Sequence, residues 1–177
     1  MSETYVISDI HFNHKNVIEF AKRPFSDINH MRESIIELWN YTVSKRDTVI
    51  CLGDWGFGAN TYQIAERLNG MIRLVMGNHD KGNPRDLAKY FHSVHGSLKK
   101  GDILFTHIPI ILDKYHNWEY IVHGHYHNKL ENIQDYRYYN INMDAIGYYG
   151  PISLDEIRHT LIQRKIDYLT GTGYLGM

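Results

Sequence analysis

Five short apolar segments of this chain end abruptly, and each is followed at once by polar side chains that can hold a metal ion. In one of them, residues 49–52 are typical of a buried strand. Gly53 ends this strand and is followed by a single carboxylate, Asp54. In open α/β sheets, sites form beyond the carboxyl ends of the strands, where neighbouring loops meet. We therefore expect the five ends to converge around Asp54. The segments, taken with the polar residues that follow them, are 5–11, 49–54, 74–80, 103–107 and 120–127.

The order of strand and helix patterns predicts how these segments are arranged. Strand patterns alternate with helical patterns in the first half, whereas strand patterns crowd together in the second half. This order predicts a single α/β domain over residues 1–177, with two packed β-sheets flanked by helices and a loose tail at 169–177. The expected strands are 3–8, 49–52, 71–76, a hairpin formed by 94–98 and 102–105, 119–122 and 136–143. The expected helices are one from a cap at Ser26 or Asp27 to about Ser44, one capped by Asn60 or Thr61, a short one at 85–91, and a last one capped by Ser153 with Ile157, Leu161 and Ile162 facing inward.

Composition limits the class of protein. A domain of this size buries roughly 70% of the surface of its unfolded chain, so it needs no disulfide to fold. The single cysteine, Cys51, lies inside an expected strand, which favours a structural role and a reducing compartment. The formal net charge of −1, from 19 basic and 20 acidic residues, argues against a protein that grips long duplex nucleic acid. No apolar run approaches the roughly 20 residues that span a bilayer, and no signal segment precedes the first strand, so we expect a cytoplasmic protein without a membrane partner.

The first three polar motifs each have an ordinary explanation when taken alone. Asp9 and His11 are two residues apart and can chelate one ion at a strand end, but a solvated loop has the same pattern. The Gly53-Asp54 pair fits an ordinary turn as well as a metal ligand. Asn78, which follows the next strand, fits a helix cap as well as a neutral oxygen ligand.

The histidines of the second half are also ambiguous one at a time. His107 follows a very apolar strand, where a lone histidine is more often a hydrogen-bonded core residue than a ligand. His125 and His127 are two residues apart and can point into one cavity, although spacing alone would equally include His123. Only the combination of motifs can therefore distinguish metal ligands from ordinary loop and core residues.

The motifs occur in the order D-x-H, G-D, G-N-H-D, H and G-H-x-H, each after an apolar strand. This combined pattern resembles the calcineurin-like metallophosphoesterase family over residues 9–127. Residues 12–16 and 23–25 are similar to a subgroup of small bacterial and bacteriophage phosphoesterases. The chain departs from the family in one place, because many members continue G-D-x-x-D whereas residues 55–57 here are Trp-Gly-Phe. A supporting carboxylate is therefore missing, but no metal ligand is.

The resemblance implies an αββα sandwich and assigns roles by motif position. It implies that Asp54 bridges two metal ions. It also implies that His79 is the proton donor or transition-state stabiliser and that Asp80 steers it. The implied ligands are Asp9, His11 and His127 for the first metal, and Asn78, His107 and His125 for the second.

A shell of mixed oxygen and imidazole ligands suits Mn, Fe, Zn, Co or Ni better than Mg or Ca, and we expect two such ions, with Mn favoured. A metal-bridging hydroxide would then hydrolyse a phosphodiester bond of a nucleotide-type substrate. The alternative is a phosphomonoesterase or a nuclease that acts on nucleic-acid ends. A non-catalytic protein-binding scaffold is a further alternative, against which the complete ligand set argues.

Two residues near the first motifs are candidates for contacting a small phosphoester or nucleotide. One is His14. The other is Arg23, whose guanidinium can clamp a phosphate, although a surface guanidinium beside Pro24 is an equally good explanation. Trp55 fits the core better than a base-stacking role. Asp144 is polar and close to the expected site, but the sequence gives it no role and does not define the oligomeric state.

Overall fold

Two β-sheets pack face to face between helices in the computed structural model, which describes residues 2–113, 116–129 and 135–172. The predicted fold class is thereby confirmed. The strands are β1 Thr4–Ile7, β2 Thr48–Cys51, β3 Met71–Val75, β4 Ser93–His95, β5 Leu98–Lys100, β6 Ile103–Phe105, β7 Tyr120–His123, β8 Tyr138–Asn140 and β9 Ile152–Ser153. The helices are α1 Lys15–Phe20, α2 Ile28–Thr42, α3 Pro84–Leu87, α4 Met143–Ile146 and α5 Leu154–Thr170, and Ala59–Arg67 forms a 3₁₀ helix.

The first sheet has the strand order β4-β3-β2-β1-β9, and the second has the order β5-β6-β7-β8. Strands β1 to β4 run parallel, and so do β6 to β8, whereas β9 and β5 are antiparallel strands at sheet edges. Parallel strands covered on both faces are built from nearly continuous apolar residues, which is the pattern seen in the sequence. Because the parallel strands of each sheet point the same way, their polar ends lie along one edge.

Two apolar clusters hold the layers together. One lies between the first sheet and the helices on its outer face, and it contains the fully buried Trp39 and Trp55. The other lies between the two sheets and continues onto α5, where Ile157 and Leu161 are buried. Trp55 fills the core as expected, with its indole N–H donating to the carbonyl of Thr61 at 2.9 Å.

Helix α2 follows its sequence signals closely. The Asp27 carboxylate accepts hydrogen bonds from the backbone N–H groups of Asn29 and His30, and Met31 and Ile35 are buried at helical spacing. Capping of this kind satisfies N–H groups that have no partner within the helix. Helix α5 begins in the same way, since the hydroxyl of Ser153 accepts the N–H of Glu156 at 3.1 Å.

Several predicted boundaries were wrong. Ile162 is 54% exposed, because it is adjacent to Leu161 and therefore points about 100° away from the stripe that faces the core. The tail does not begin at 169, because α5 continues to Thr170 and ends at Gly171, which has left-handed backbone angles. Residues 173–177 of the predicted tail lie outside the described residues.

The expected hairpin and the last strand also differ from the prediction. Residues 93–95 form β4 in the first sheet, and the hairpin is the shorter β5–β6 pair in which Lys100 opposes Ile103. The strand predicted at 136–143 covers only 138–140, because Asn142 caps the short helix α4 instead. The helix expected at 85–91 ends at Leu87, and the second predicted helix is a 3₁₀ helix. Among the described residues, no helix combines the length and the apolar character needed to cross a bilayer.

Candidate metal centre

The loops that follow β1, β2, β3, β6 and β7 meet at one edge of the sandwich. Two groups of possible metal ligands form there, one made of Asp9, His11 and His127 and the other of Asp9, Asp54 and His107. Within each group, the ligand atoms all lie within 4.8 Å of one another. The convergence expected from the apolar segments is therefore present, and Asp9 belongs to both groups.

In the first group Asp9 and His11 are buried and His127 is partly buried. The Nε2 atoms of His11 and His127 are 3.3 Å apart, and Nε2 of His11 is 3.6 Å from Oδ2 of Asp54. The Asp9 carboxylate accepts the hydroxyl of Ser8 and the backbone N–H of His125, the latter at 3.1 Å from each oxygen. These bonds fix the carboxylate beside the two imidazoles.

An amide oxygen lies beside the second group. Nε2 of His107 is 3.4 Å from Oδ1 of Asp54 and 3.0 Å from Oδ1 of Asn78. The ring of His125 packs against the ring of His107 edge to face, with 5.1 Å between centroids. Asp54 thus directs one carboxylate oxygen toward His107 and the other toward His11.

These spacings fit donor atoms that share an ion. Two ligand atoms that are each about 2.1 Å from one ion lie about 3.0–3.4 Å apart in octahedral or tetrahedral geometry. The imidazoles are also oriented for binding, because Nδ1 of His107 is 2.7 Å from the carbonyl oxygen of Leu52 and Nδ1 of His127 is 2.7 Å from the Asp144 carboxylate. Each Nδ1 therefore carries the proton and leaves the Nε2 lone pair available.

Burial favours the neutral form of His11, which is the form that binds metals. It lowers the pKa of the His11 imidazole to about 2, with further lowering by the nearby His127 ring. Burial has the opposite effect on Asp9 and raises the pKa of its carboxyl, although His107 and the Ser8 hydroxyl work against the shift. A carboxylate and imidazoles buried together in this way are typical of a site that binds a cation.

Five of the predicted ligands have a backbone conformation that non-glycine residues rarely adopt. Their φ angles are positive, between 50° and 76°, which places them in the left-handed region. Such conformations cost about 1–3 kcal/mol each and cluster at functional sites. The five residues are Asp9, His11, Asp54, His125 and His127.

Two glycines allow the loops to approach so closely. A Cβ atom at Gly77 would overlap the carboxylate of Asp54, and one at Gly124 would overlap the carboxylate of Asp9. In both cases the backbone of one loop therefore contacts a candidate ligand that another loop carries. This explains why glycine stands at these two positions.

A model of the calcineurin-like phosphoesterase family matches residues 3–166 of the chain. The chain belongs to this family. As a calcineurin-like phosphoesterase, it is a metal-dependent phosphoester hydrolase, and the two groups above are its candidate divalent-metal ligands. The family predicted from the motifs is thereby confirmed.

Relatives of this calcineurin-like phosphoesterase share nearly its whole length. An uncharacterized protein of Methanocaldococcus jannaschii is 32% identical over 177 residues, covering 94% of this chain and 95% of the relative. The gene 66 protein of Mycobacterium phage L5 is 28% identical over 196 residues, covering 89% of this chain and 93% of the phage protein. Among solved structures, a protein of unknown function from Aquifex aeolicus superposes with a TM-score of 0.71 at 30% identity, covering 90% of this chain and 99% of that chain.

In this phosphoesterase, His79 lies at the mouth of the site. Its side chain is exposed, its ring centroid is 5.7 Å from that of His11, and its backbone N–H donates to Asp54 at 2.9 Å. The partner expected to steer its ring is engaged elsewhere. The Asp80 carboxylate accepts backbone N–H groups from Gly77, Asp54 and Trp55 at 2.8–2.9 Å. Asp80 therefore joins two metal loops, and none of the hydrogen bonds described for it reaches the His79 ring.

Burial raises the pKa of the Asp80 carboxyl, and the three backbone N–H groups partly counteract this shift. The Asp80 carboxylate also accepts the N–H of Trp55, the first residue after Asp54. Asp80 therefore connects the loop after β3 to the loop after β2.

Arg23 of the phosphoesterase is not placed to contact a substrate. Its side chain is fully buried and forms two hydrogen bonds with the Asp144 carboxylate at 2.8 and 2.9 Å. Nη1 donates to the backbone carbonyl of Ile10 at 2.7 Å, and Nη2 donates also to that of Asp9 at 2.8 Å. The expectation of a phosphate clamp is therefore corrected, because this guanidinium supports the loop that carries Asp9 and His11.

Asp144 is the site residue to which the sequence gave no role. Its carboxylate connects Arg23 to Nδ1 of His127 and so orients a metal ligand. Burial acts to raise the pKa of Asp144, but hydrogen bonds from His127 and Arg23 outweigh it and lower the pKa. The one available signal was local: Asn142 begins a short helix directly after a strand and places Asp144 in its first turn.

The other expected substrate contact, His14, does face the site. Its ring centroid is 5.6 Å from that of His11 and 4.2 Å from that of Phe57. Phe57 is 5.1 Å from His79, and Phe20 is 5.8 Å from His14. We call the rings of Phe20, His14, Phe57 and His79 the aromatic rim of this phosphoesterase.

A cleft opens beside the second group of candidate ligands. It has a volume of about 470 Å³ and begins at Asn78 and His107. Ile108 and Ile110 contribute apolar side chains, and Thr106 contributes a buried hydroxyl without a hydrogen-bond partner among the described residues. We call it the Thr106 cleft. The metal ligands are therefore flanked by two separate surfaces, the aromatic rim and the Thr106 cleft.

Proposed function

We propose that this chain is a binuclear metal-dependent phosphodiesterase that acts on a nucleotide-type substrate. The observation that carries the proposal is the placement of Asp54. One of its oxygens is 3.4 Å from Nε2 of His107 and the other is 3.6 Å from Nε2 of His11. A carboxylate that faces two imidazole groups in this way is suited to bridge two ions.

The proposed ligands divide into two sets around Asp54. Each set combines oxygen and imidazole donors, which favours transition metals such as Mn, Fe, Zn, Co or Ni, and we favour Mn. Asn78 suits the second set because its amide is a neutral oxygen donor beside the shared carboxylate. The first set is Asp9, His11 and His127, and the second is Asn78, His107 and His125.

When bound, the two ions acidify a water molecule to supply the nucleophile and neutralise the charge of the phosphate. The chain supplies the proton for the leaving oxygen, and we assign that role to His79. Its ring is exposed at the mouth of the site, while its backbone N–H is held by Asp54. A positioned imidazole of this kind contributes about 10²–10⁴-fold to rate.

The two flanking surfaces favour a diester over a monoester. A phosphodiester carries one organic group on each side of the phosphorus, whereas a monoester carries only one. In this chain, the aromatic rim lies on the His11 side and the Thr106 cleft lies on the His107 side. Each surface can therefore receive one arm of a diester.

The aromatic rim favours a nucleotide as one of these arms. Phe20 is 53% exposed and Phe57 is 38% exposed, although both lie within ring contact of residues at the metal site. Exposed rings beside a phosphate site offer a stacking surface for a nucleobase, and such stacking is worth about 1–3 kcal/mol per base. His14 extends the same surface toward the ligands.

The proposal is tested with the purified chain loaded with Mn²⁺. We expect two ions per chain by elemental analysis, and faster turnover of bis(4-nitrophenyl) phosphate than of 4-nitrophenyl phosphate. Among natural esters, we expect a nucleotide diester to be preferred over a diester without a base. A single ion per chain would contradict the binuclear site, and a preference for the monoester would contradict the assignment of the two flanking surfaces.

A further inference from the structure

A second cleft opens at the other end of the strands from the metal ligands. It has a volume of about 350 Å³ and is lined by Thr4 and Thr48, which begin β1 and β2, and by Arg73, Lys99 and Lys100. The remaining lining residues are neutral or are histidine, so none of the described lining residues is acidic. We call it the basic cleft.

Arg73 is a charged residue beside apolar residues on its face of the first sheet. It lies opposite Ile50 in the strand register, and both Ile50 and Val75, the next residue on the same face of β3, belong to the apolar cluster between the sheets. Its side chain is half-buried, and its Nε atom is buried without a hydrogen-bond partner among the described residues. A half-buried guanidinium whose Nε–H is buried and unbonded among the described residues favours a bound anion at this position.

The acidic residues that directly precede Thr4 and Thr48 along the chain are already engaged. Asp47 precedes Thr48, and its carboxylate accepts the backbone N–H groups of Glu3 and Ser44 at 2.8 Å. Glu3 precedes Thr4, and its carboxylate accepts the hydroxyl of Tyr5 at 2.7 Å. Neither carboxylate lines the basic cleft.

We propose that the basic cleft binds a phosphate group other than the one that is hydrolysed. A guanidinium presents its N–H donors in a planar fork that matches two phosphate oxygens, and ammonium groups add charge. Arg73 supplies the fork, and Lys99 and Lys100 supply the ammonium groups. The hydroxyls of Thr4 and Thr48 stand at the same cleft as further donors.

The basic cleft and the Thr106 cleft share Ser97, in the segment that connects β4 to β5. The two clefts therefore meet at Ser97, one beside the metal ligands and the other extending toward the start of β1 and β2. The phosphate that binds in the basic cleft thus has two possible sources. It is either a free anion or a neighbouring phosphate of a short nucleotide chain whose scissile bond is at the metal centre, and the second source rests on the proposed function.

Thermal unfolding with inorganic phosphate as the probe tests the binding site without any hydrolysis. Arg73→Gln keeps the length of the side chain and removes its charge, and Arg85→Gln removes one charge from an exposed position on α3. A ligand that binds only the folded chain raises the unfolding temperature by mass action. We expect phosphate to raise it for the wild type and for Arg85→Gln, and the Kd for phosphate to rise at least about tenfold in Arg73→Gln.

Neither Arg73 nor Arg85 belongs to the candidate metal ligands, so a difference between the two variants reports on the basic cleft. An equal response of both variants to phosphate would overturn the proposal. If Arg73→Gln fails to fold, the exposed pair Lys99→Gln and Lys100→Gln replaces it, and an unchanged response of that double variant would overturn the proposal as well.

The source of the phosphate follows from steady-state kinetics with two substrates. An increase in KM of Arg73→Gln for a trinucleotide, without an increase for a diester that carries a single phosphate, supports a neighbouring phosphate of the substrate. Unchanged KM values together with weakened binding of inorganic phosphate support a free anion. If the wild-type chain hydrolyses neither ester, the proposed function is wrong. The unfolding experiment still tests phosphate binding in the basic cleft, because it does not depend on hydrolysis.

Discussion

The two halves of the metal centre are held in different ways. On one side, Asp144 joins the ligand His127 to the buried guanidinium of Arg23, which in turn holds the backbone of Asp9. On the other side, His107 is buried beside the carbonyl oxygen of Leu52, whereas Asn78 is exposed. A buried ion pair therefore supports the first half, whereas the second half exposes one of its candidate ligands to solvent.

In the proposed binuclear centre Asp54 bridges both halves, so its loss has the largest expected effect. Asp54→Ala removes the carboxylate that faces His11 and His107. Because metal ions contribute several kcal/mol of transition-state stabilisation, we expect activity to fall by about 10³-fold or more. Elemental analysis should show fewer than two ions per chain, with Asp86→Ala, at an exposed position on α3, as the control. Full metal occupancy in Asp54→Ala would show that the two halves do not share this ligand.

His79→Ala leaves both halves in place and removes only the proposed proton donor at the mouth of the site. We expect kcat to fall by about 10²–10⁴-fold while the metal content stays at the wild-type value. The loss should be smaller for an ester whose leaving group needs no proton, such as 4-nitrophenolate, than for a nucleotide diester. Equal losses on both esters, or loss of metal with activity, would remove this role from His79.

Asp144→Asn alters only the half of the centre that contains the Arg23–Asp144 ion pair. It leaves the buried charge of Arg23 without its partner, so we expect a loss of about 3–5 kcal/mol in the free energy of unfolding of the metal-free chain. Metal affinity should fall by about 10–100-fold at one of the two sites, because His127 loses the group that orients it.

The paired variant for this experiment is Asn78→Ala, which alters the half that contains His107. It should weaken the other metal site and leave the free energy of unfolding within about 0.5 kcal/mol of the wild type, as is usual for exposed residues. Denaturant unfolding and metal titration of both variants measure the contrast. If both variants lose the same metal and the same stability, the two halves are not held differently.

Phe57→Leu has the smallest expected effect, since it alters only the aromatic rim. Leucine keeps an apolar side chain but removes the flat ring, so kcat/KM for a nucleoside cyclic phosphate should fall by about tenfold. The same cyclic phosphate without a base should be hydrolysed at an unchanged rate. Tyr41→Leu, which removes an aromatic ring that is 91% exposed on α2, should change neither value. A uniform loss on both substrates would indicate that Phe57 supports the metal ligands instead of recognising a base.

Much of this arrangement follows from local sequence. Asp9, Asp54 and His107 each come directly after a buried strand, and the alignment of parallel strands is enough to bring them to one edge. Trp55 and the cap of α2 at Asp27 were also predictable, because burial of a large ring and capping of a helix depend on nearby residues.

The rest depends on contacts between distant residues or on backbone geometry. Arg23 and Asp144 are 121 residues apart, and no local pattern pairs them, so Arg23 was expected to face a substrate. Asp80 was expected beside the His79 ring for a similar reason, since only the folded loops show that its carboxylate accepts the N–H of Trp55. Sequence spacing also does not predict that Arg73 lies on the face of β3 that carries Val75 toward the other sheet. The sequence of β3 alone does not indicate which of its faces the second sheet covers.

The left-handed backbone of the five ligands has a consequence for engineering this protein. Exchange of any of them for glycine relaxes its φ angle, so directed evolution for heat resistance alone would find gains in these loops. Each such exchange deletes a donor atom. Thermostabilised descendants of this chain should therefore be sought among changes far from the metal-binding edge, with metal retention screened alongside melting temperature.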